Sequence, residues 1–400
     1  MTGPGRHSRD EAPIGRRMAE LRARRGMSQQ VFADRIGKSK SWVDKVERGV
    51  RTLDRLSVIE TVATALGVTP TILLTGKPRR ETVTDTEAAV ERIRAALARH
   101  DPPDTDSPTV RQLDDQAGYA WTAYRNGHHP QVLRTLPDLL AATRHTHHTG
   151  TAPDPPVRVY RLTAQTLVKL GKPHLAWLAA DRAMTAATGD PHRTGLAAVS
   201  LAQALRALHR GRLAQAAALT AVHQLDRTPS RAFLPDEPGL TGTLLLEAAL
   251  AAATYRDAPT AHDLTERAAH LATTHDGRHH DGDGIAFGPT GVELARALTA
   301  ARLGDHHHAA IVHRQVVDSD GWHLLPAEHR AAHLIDITHT YLDLGDPRAA
   351  GRALTAADRI APAETRTRPT ARTALTAILR TGQSSADITR LATTIGLTRQ

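Results

Sequence analysis

Lys40, Ser41, Asp44 and Lys45 lie close together in the segment SKSWVDKVERG, residues 39–49. They bring two ammonium donors, a hydroxyl that donates and accepts, and a carboxylate that only accepts. These types match base edges in a DNA major groove, where Lys donates to guanine O6 and N7, Ser adapts, and Asp accepts from cytosine N4. A carboxylate near phosphates is unfavourable unless it meets a donor, which makes Asp44 the informative member of the set.

Such a set reads bases only if a rigid element holds it. Val43 and Val46, three apart, form a buried stripe, so Lys40, Ser41, Asp44, Lys45 and Arg48 project to solvent from other faces of one helix. Ser39 supplies its N-cap and Gly49 closes it. The preceding stretch, SQQVFADRIG, reads as a second helix capped by Ser28, with Val31, Phe32 and Ile36 turned inward and Gly37 in a left-handed turn. Before it, Ile14, Met18 and Leu21 mark an amphipathic first helix that ends at Gly26. Two short helices joined by a tight glycine turn make a helix-turn-helix.

The charge balance singles out the same region. Residues 1–80 hold 17 Lys+Arg against 8 Asp+Glu, and residues 81–400 hold 34 of each. The whole formal excess of +9 therefore sits in the first fifth of the chain, where a polyanion would bind.

These residues resemble the helix-turn-helix regulators related to phage repressors, the Xre type, over residues 14 to about 76. The resemblance rests on Ser28-Gln29, the Ala33 to Gly37 turn, Val43, Val46-Glu47-Arg48-Gly49, and LSVIETVATALGVTPTILLTG with Leu66-Gly67-Val68 and Leu73-Leu74 as core. It implies five helices, the second starting against the DNA backbone and the third entering the groove. On that pattern Lys40, Ser41, Asp44 and Lys45 approach bases, while Gln29, Ser39, Arg48 and Arg51 contact the backbone. Trp42, where relatives often carry tyrosine, is either a phosphate donor or a packing residue. Glu47 is expected to pair with an arginine of the first helix, Arg16 or Arg17. Regulators of this type read two half-sites about one helical turn apart, so a homodimer is expected.

Behind this region the chain repeats. After the helical segment TDTEAAVERIRAALARH, the stretch DPPDTDSP at 101–108 reads as a linker or hinge. Turn positions Gly127, Gly171, Gly211, Asp257, Gly304 and Gly345 then recur, each followed by an alanine-rich helix. They are separated by 44, 40, 46, 47 and 41 residues, room for two helices per period, which is the signature of a helical solenoid. Small residues such as Ala176, Ala180 and Ala183, or Ala214, Ala217 and Ala221, allow close helix approach. The array resembles tetratricopeptide-type repeats in a longer, degenerate form. A terminal helix is expected near Ala371 to Leu379. The expected organisation is a disordered tail at 1–13, a DNA-binding domain at 14–76, a helical linker and hinge at 77–106, a repeat domain for sensing and dimerisation at 107–380, and a C-terminal helix or tail at 381–400.

The fold class expected is therefore all-α, a five-helix repressor-like domain followed by a tetratricopeptide-like α-solenoid. The pairing of the two parts resembles bacterial regulators whose repeat domain senses a signal, including peptide-sensing quorum regulators. It is closer still to those of high-GC filamentous bacteria, through FGPTGVELARALTAARLGD and DLGDPRAAGRALTAADRIAP. Forty-five arginines against six lysines agree with high-GC coding.

Other chemistries find little support. Zero cysteines exclude disulfides, thiolate metal sites and cysteine nucleophiles. The histidine clusters at 145–148, 279–280 and 306–308 adjoin in sequence instead of recurring at i, i+4, so solvated histidines are expected and no metal or cofactor. HDGRHHDGDG offers Asp276, Asp281 and Asp283, but Val292 stands where an EF-hand loop needs its closing glutamate, and a mobile lid-like loop is the plainer reading. No phosphate-cradling loop, nucleophile elbow or HExxH occurs, so no enzyme is expected. Three phenylalanines in 400 residues give no stacking platform for single strands. With no apolar run of membrane-spanning length and no signal-peptide core, a cytoplasmic location is expected.

The function expected is a sequence-specific regulator of double-stranded DNA, its repeat groove taking a peptide, small molecule or protein partner. The alternative is a protein-interaction adaptor, antitoxin-like or developmental, with the solenoid as main surface. Residues that would bind the effector are not identifiable from the sequence.

Overall fold

The computed structural model describes residues 14–24, 27–51, 53, 56–66, 73, 83–99, 109–149, 154–227, 237–274 and 287–397. The expected tail at 1–13, the hinge at 101–108 and the aspartate-rich loop at 275–286 lie outside the described residues. All regular structure among the described residues is helical. The chain divides into two units, Met1–Glu81 and Thr82–Gln400.

The first unit holds α1 (Ile14–Arg24), α2 (Gln29–Arg35), α3 (Lys40–Glu47) and α4 (Leu56–Ala65). Its core gathers Met18, Phe32, Ala33, Ile36, Val43, Val46, Ile59, Val62, Leu66 and Leu73. Each of these larger side chains contributes roughly 1.5–3 kcal/mol by leaving water, enough to fix helices too short to persist alone. One inward assignment fails: Val31 is half-exposed, and Ala33 takes the place beside Phe32 and Ile36. On a helix of seven residues the buried arc is narrow, and the small Ala33 fits where α2 comes closest to its neighbours. Of the expected fifth helix only Leu73 is described, and it is fully buried.

The second unit is built from antiparallel pairs. The helices are α5 (Val83–Ala98), α6 (Val110–Arg125), α7 (His129–Thr149), α8 (Asp154–Lys169), α9 (Pro173–Ala186), α10 (Pro191–Ala207) and α11 (Gly211–Arg227). They continue with α12 (Glu237–Thr254), α13 (Ala258–Thr274), α14 (Pro289–Leu303), α15 (His306–Val317), α16 (Asp320–Leu324), α17 (Ala327–Asp343), α18 (Pro347–Ile360), α19 (Pro362–Thr367), α20 (Pro369–Arg380) and α21 (Ala386–Thr394). The pairs are α6/α7, α8/α9, α10/α11, α12/α13, α14/α15 and α17/α18. The leading helix of each pair packs on the leading helix of the next, so α6, α8, α10, α12, α14 and α17 line one inner wall.

The turns between paired helices use one device. Its left-handed residue is Gly127, Gly171, His209, Arg256, Gly304 or Gly345 in successive pairs. In two repeats the device therefore falls two residues and one residue before the expected Gly211 and Asp257. Gly211 instead opens α11, where a Cβ would overlap Thr254 Oγ1 and sit 3.0 Å from the Ala251 carbonyl oxygen. Its glycine serves close helix approach and not a turn. Alanines fill the contacts as expected at Ala176, Ala180, Ala183, Ala214 and Ala221, with Ala218 more deeply buried than Ala217.

Two placements differ from the sequence reading. The helix expected within a linker, now α5, packs on α7 and buries Val90, Ile93 and Leu97 completely in the core that holds Trp121 and Leu136. Its apolar stripe finds a partner only in three dimensions. The array also curls until its ends meet: α17 packs on α6, and α19 on α7. Gly127 gives room there, since a Cβ would lie 2.6 Å from Ala361 Cβ. A cluster of charges spans this closure. Lys169 bonds both Glu328 and Glu364, His129 Nε2 lies 2.6 Å from Glu364 Oε1, and Arg368 Nη1 donates to Glu364 Oε2 at 3.3 Å.

Candidate nucleic-acid interface

Local chemistry sets α2 and α3 at a fixed angle. Ser28 Oγ accepts the Val31 N–H at 3.2 Å and Ser39 Oγ accepts the Trp42 N–H at 3.1 Å, each satisfying an orphan donor of a helix start. Between them Gly37 takes φ +63° and the Lys38 N–H returns to the Ala33 carbonyl at 2.9 Å, closing α2. After α3, Gly49 takes φ +75°.

At 100° per residue, Lys40, Asp44, Arg48, Ser41 and Lys45 fall in that order within an arc of about 140° on α3. Val43 and Val46 occupy the opposite side and are 0% and 1% exposed. Lys40, Ser41, Lys45 and Arg48 are exposed, and Asp44 is partly so. Asp44 already meets its donor: Arg48 Nη2 lies 2.6 Å from Oδ2, one turn along. Both side chains stay well exposed, so the pair is worth no more than a few tenths of a kcal/mol. A weak pair is readily exchanged for a phosphate on Arg48 or a base donor on Asp44.

A second, better sheltered group ties the helices together behind this face. Arg22 of α1 grips Glu47 with two bonds, Nε to Oε1 at 2.7 Å and Nη2 to Oε2 at 3.0 Å. Its Nη1 donates to the Met27 carbonyl at 2.6 Å. The Glu47 bond raises the Arg22 pKa further, against the lowering effect of burial. Gln29, the first residue of α2, adds a bond from Nε2 to Glu47 Oε2 at 2.8 Å. One carboxylate thus joins the end of α1, the start of α2 and the end of α3. This corrects the expected partner of Glu47, because Arg17 turns away to donate from Nε to the Leu73 carbonyl at 2.6 Å. Helix phase explains the outcome: with Met18, Leu21 and Ile14 facing the core, Arg16 lies on the far side while Arg17 and Arg22 flank it on opposite edges. Only Arg22 flanks the edge toward α3.

Other expected contacts stand as follows. Ser39 is committed through its side chain to the cap, Arg51 is exposed, and Gln29 carries the bond to Glu47. Trp42 is partly buried against the core, and among the described residues its indole N–H has no hydrogen bond. Sequence reasoning missed Gly15, whose missing Cβ admits the Val46 carbonyl and lets α1 approach α3 closely. A glycine one residue into an amphipathic helix is the signal that was there to read.

Residues 13–73 match the family model described as a helix-turn-helix domain. A propionyl-CoA carboxylase regulator of Cereibacter sphaeroides is 35% identical over 133 residues, which is 33% of this chain and 24% of that protein. The match thus spans about a quarter of the relative's length. Two solved structures are also similar. Bacillus thuringiensis PlcR, in complex with the peptide PapR7 and DNA, is 11% identical at a TM-score of 0.26, over 65% of this chain and 94% of that one. PrgX is 11% identical at a TM-score of 0.27, over 92% of this chain and 99% of that one. At those scores the fold assignment rests on the helix packing described above.

Proposed function

We propose that the chain is a sequence-specific transcriptional regulator of double-stranded DNA, of the Xre or phage-repressor-like type. The observation that carries this reading is the polar arc of Lys40, Ser41, Asp44, Lys45 and Arg48 on a capped helix. The Arg22–Glu47–Gln29 group holds that helix against α1 and α2. Lys40, Ser41, Asp44 and Lys45 read bases; Gln29, Ser39, Trp42, Arg48 and Arg51 meet the backbone. The confinement of the +9 formal charge to residues 1–80 supports a polyanionic partner.

In this reading the protein works in the cytoplasm as a homodimer, since one short recognition helix covers a single half-site. It carries out no catalysis and uses no cofactor. The repeat unit takes an effector, a peptide, small molecule or protein segment, on its inner wall, and occupancy alters how two readers are placed. Selection of bound duplexes from a random pool, followed by gel shifts with the selected site, tests this. The expected result is a two-fold-symmetric site whose affinity falls with salt at a log–log slope of about −0.9 per phosphate contacted. Replacing Lys40 and Lys45 by alanine should remove discrimination between selected and random duplex, by about 1–3 kcal/mol per lost base contact. Unchanged discrimination would overturn α3 as the reader.

A further inference from the structure

A cavity of about 700 Å³ lies between α18, α20 and the start of α21, away from the helices of the inner wall. It falls within the roughly 300–1,000 Å³ typical of small-molecule sites. At 100° per residue, Arg348, Arg352, Thr355 and Arg359 of α18 fall within an arc of about 60° and make one wall. Beneath them the buried Ile378 of α20 and Ile388 of α21 close the bottom. Gly351 permits that approach, since a Cβ there would already sit 3.4 Å from Ile388 Cγ1. Gln383, Ser384 and Ser385, from the turn between α20 and α21, add hydrogen-bonding groups to the lining.

The charges of this lining do not balance. Among the described residues it holds Arg348, Arg352, Arg359 and one carboxylate, Asp387, which is already bonded to Arg359 at 2.9 Å and to Arg390 at 3.1 Å. Arg348 and Arg352 form neither a hydrogen bond nor an ion pair among the described residues. Asp346, the cap of α18, accepts the Ala349 N–H at 2.8 Å. Elsewhere in this unit an arginine one turn from an acid pairs with it, as Arg267 does with Asp263 and Arg296 with Glu293. Arg348 instead has Arg352 at i, i+4, an unfavourable spacing for like charges. It also stands in the first turn of α18, where the helix dipole favours anions. A bound anion relieves both. Ser384 points the same way independently: its Oγ, in the lining, is buried with no hydrogen-bond partner, and a ligand oxygen would satisfy it.

We propose that this cavity binds a nucleoside phosphate, its dianionic phosphate gripped by Arg348 and Arg352 and its nucleoside set against Pro347 and the arginine stems, with Gln383 and Ser384 bonding its polar edge. Side chains at i, i+4 stand about 5–6 Å apart at Cβ, a span over which two planar forks converge on one phosphate. Both guanidinium groups are exposed, so the phosphate reaches them without any change of fold. Two cations without a partner match a dianion, where a carboxylate would leave one unmet. An inorganic ion would leave Ser384 and most of the cavity unfilled. The site shares no residue with the inner wall, so it is independent of the effector site proposed above.

The test uses the full-length protein with calorimetry and thermal melting. The probes are the four common nucleoside 5′-monophosphates, their nucleosides, ribose 5-phosphate, inorganic phosphate and a random DNA duplex. At least one monophosphate should bind on the order of ten- to a hundredfold more tightly than its nucleoside, as expected for charge-assisted bonds, and more tightly than ribose 5-phosphate or inorganic phosphate. The double variant Arg348→Gln/Arg352→Gln should lose that factor while melting like the wild type, because both side chains are exposed and support no other residue. Arg348→Lys/Arg352→Lys should recover part of it, since lysine keeps the charge without the fork. Ser384→Ala should weaken binding roughly two- to tenfold. Equal binding of a monophosphate and its nucleoside, inorganic phosphate binding as tightly as any nucleotide, no nucleotide binding, or wild-type affinity in the double glutamine variant would each overturn the inference. So would duplex binding that the double glutamine variant weakens while no nucleotide binds, which would assign the arginine stripe to a DNA backbone instead.

Discussion

The closure of the repeat unit on itself is held by a charge cluster whose centre, Glu364, is completely buried. Glu364→Gln removes its charge while keeping its shape and an oxygen for the bond with His129. Burial alone would raise the Glu364 pKa, but Lys169, His129 and Arg368 outweigh it and hold the carboxyl well below the ordinary range. Lys169 retains Glu328, and Arg368 retains the longer contact with Asp336 at 4.0 Å. Losing one partner of a buried ion group costs about 3–5 kcal/mol, and the retained bond places this variant near the lower figure. For a unit of this size about 3 kcal/mol corresponds to a fall in melting temperature of about 4–5 °C. A group whose folded pKa is depressed gives stability that is full above its unfolded value, about 4.3, and is lost as pH falls through the folded value. The gap between wild type and variant should therefore stay constant from pH 8 to 5 and shrink below about 4.3. Melting followed by circular dichroism over that range reads the energy, and small-angle scattering reads the opening of the closure as a larger radius of gyration. Arg359→Ala, at an exposed pair with Asp387, is the control and should change little. Wild-type melting and radius in Glu364→Gln would refute the view that these charges hold the ends together.

Three further outcomes follow from local geometry. Gly15→Ala forces a methyl into the Val46 carbonyl, so the stability of the first unit should fall by about 1–3 kcal/mol and, on the proposed function, affinity for the selected duplex with it, while exposed Ala23→Gly costs no more than about 1 kcal/mol. His313 and His333, joined at 2.9 Å, have pKa values lowered by burial to about 4 and about 3. Both are buried neutral, so stability should be full above pH 6.5 and decline as pH falls toward 4; a melting profile flat from pH 7.5 to 4.5 would contradict this. His209 holds φ +58°, a left-handed position that four of its counterparts give to glycine. His209→Gly should thus raise stability by about 0.5–1 kcal/mol in a denaturant titration, and a loss would show that the histidine ring contributes more than the backbone strain.

Much of the first unit was legible in the sequence because its determinants are local. Ser28, Gly37, Ser39 and Gly49 act on backbone within a few residues, and Val43 with Val46 fixes by period alone which side of α3 is dry. The repeat period was legible for the same reason, each turn being closed by bonds within its own pair. Where a turn used His209 or Arg256 in place of glycine, the sequence pointed instead to Gly211 and Asp257, because a left-handed residue without glycine leaves no local mark.

What the tertiary structure decided depends on groups far apart in the chain. Arg22 over Arg17 as the partner of Glu47 is a matter of which edge of α1 faces α3. The exposure of Val31 is a matter of how narrow the contact of α2 is. Burial of α5 and closure of the array through Lys169, Glu364 and His129 both follow from small rotations summed over successive helix pairs. Composition and period set that each pair forms and stacks. The accumulated curvature, which no single pair encodes, sets which charges finally meet.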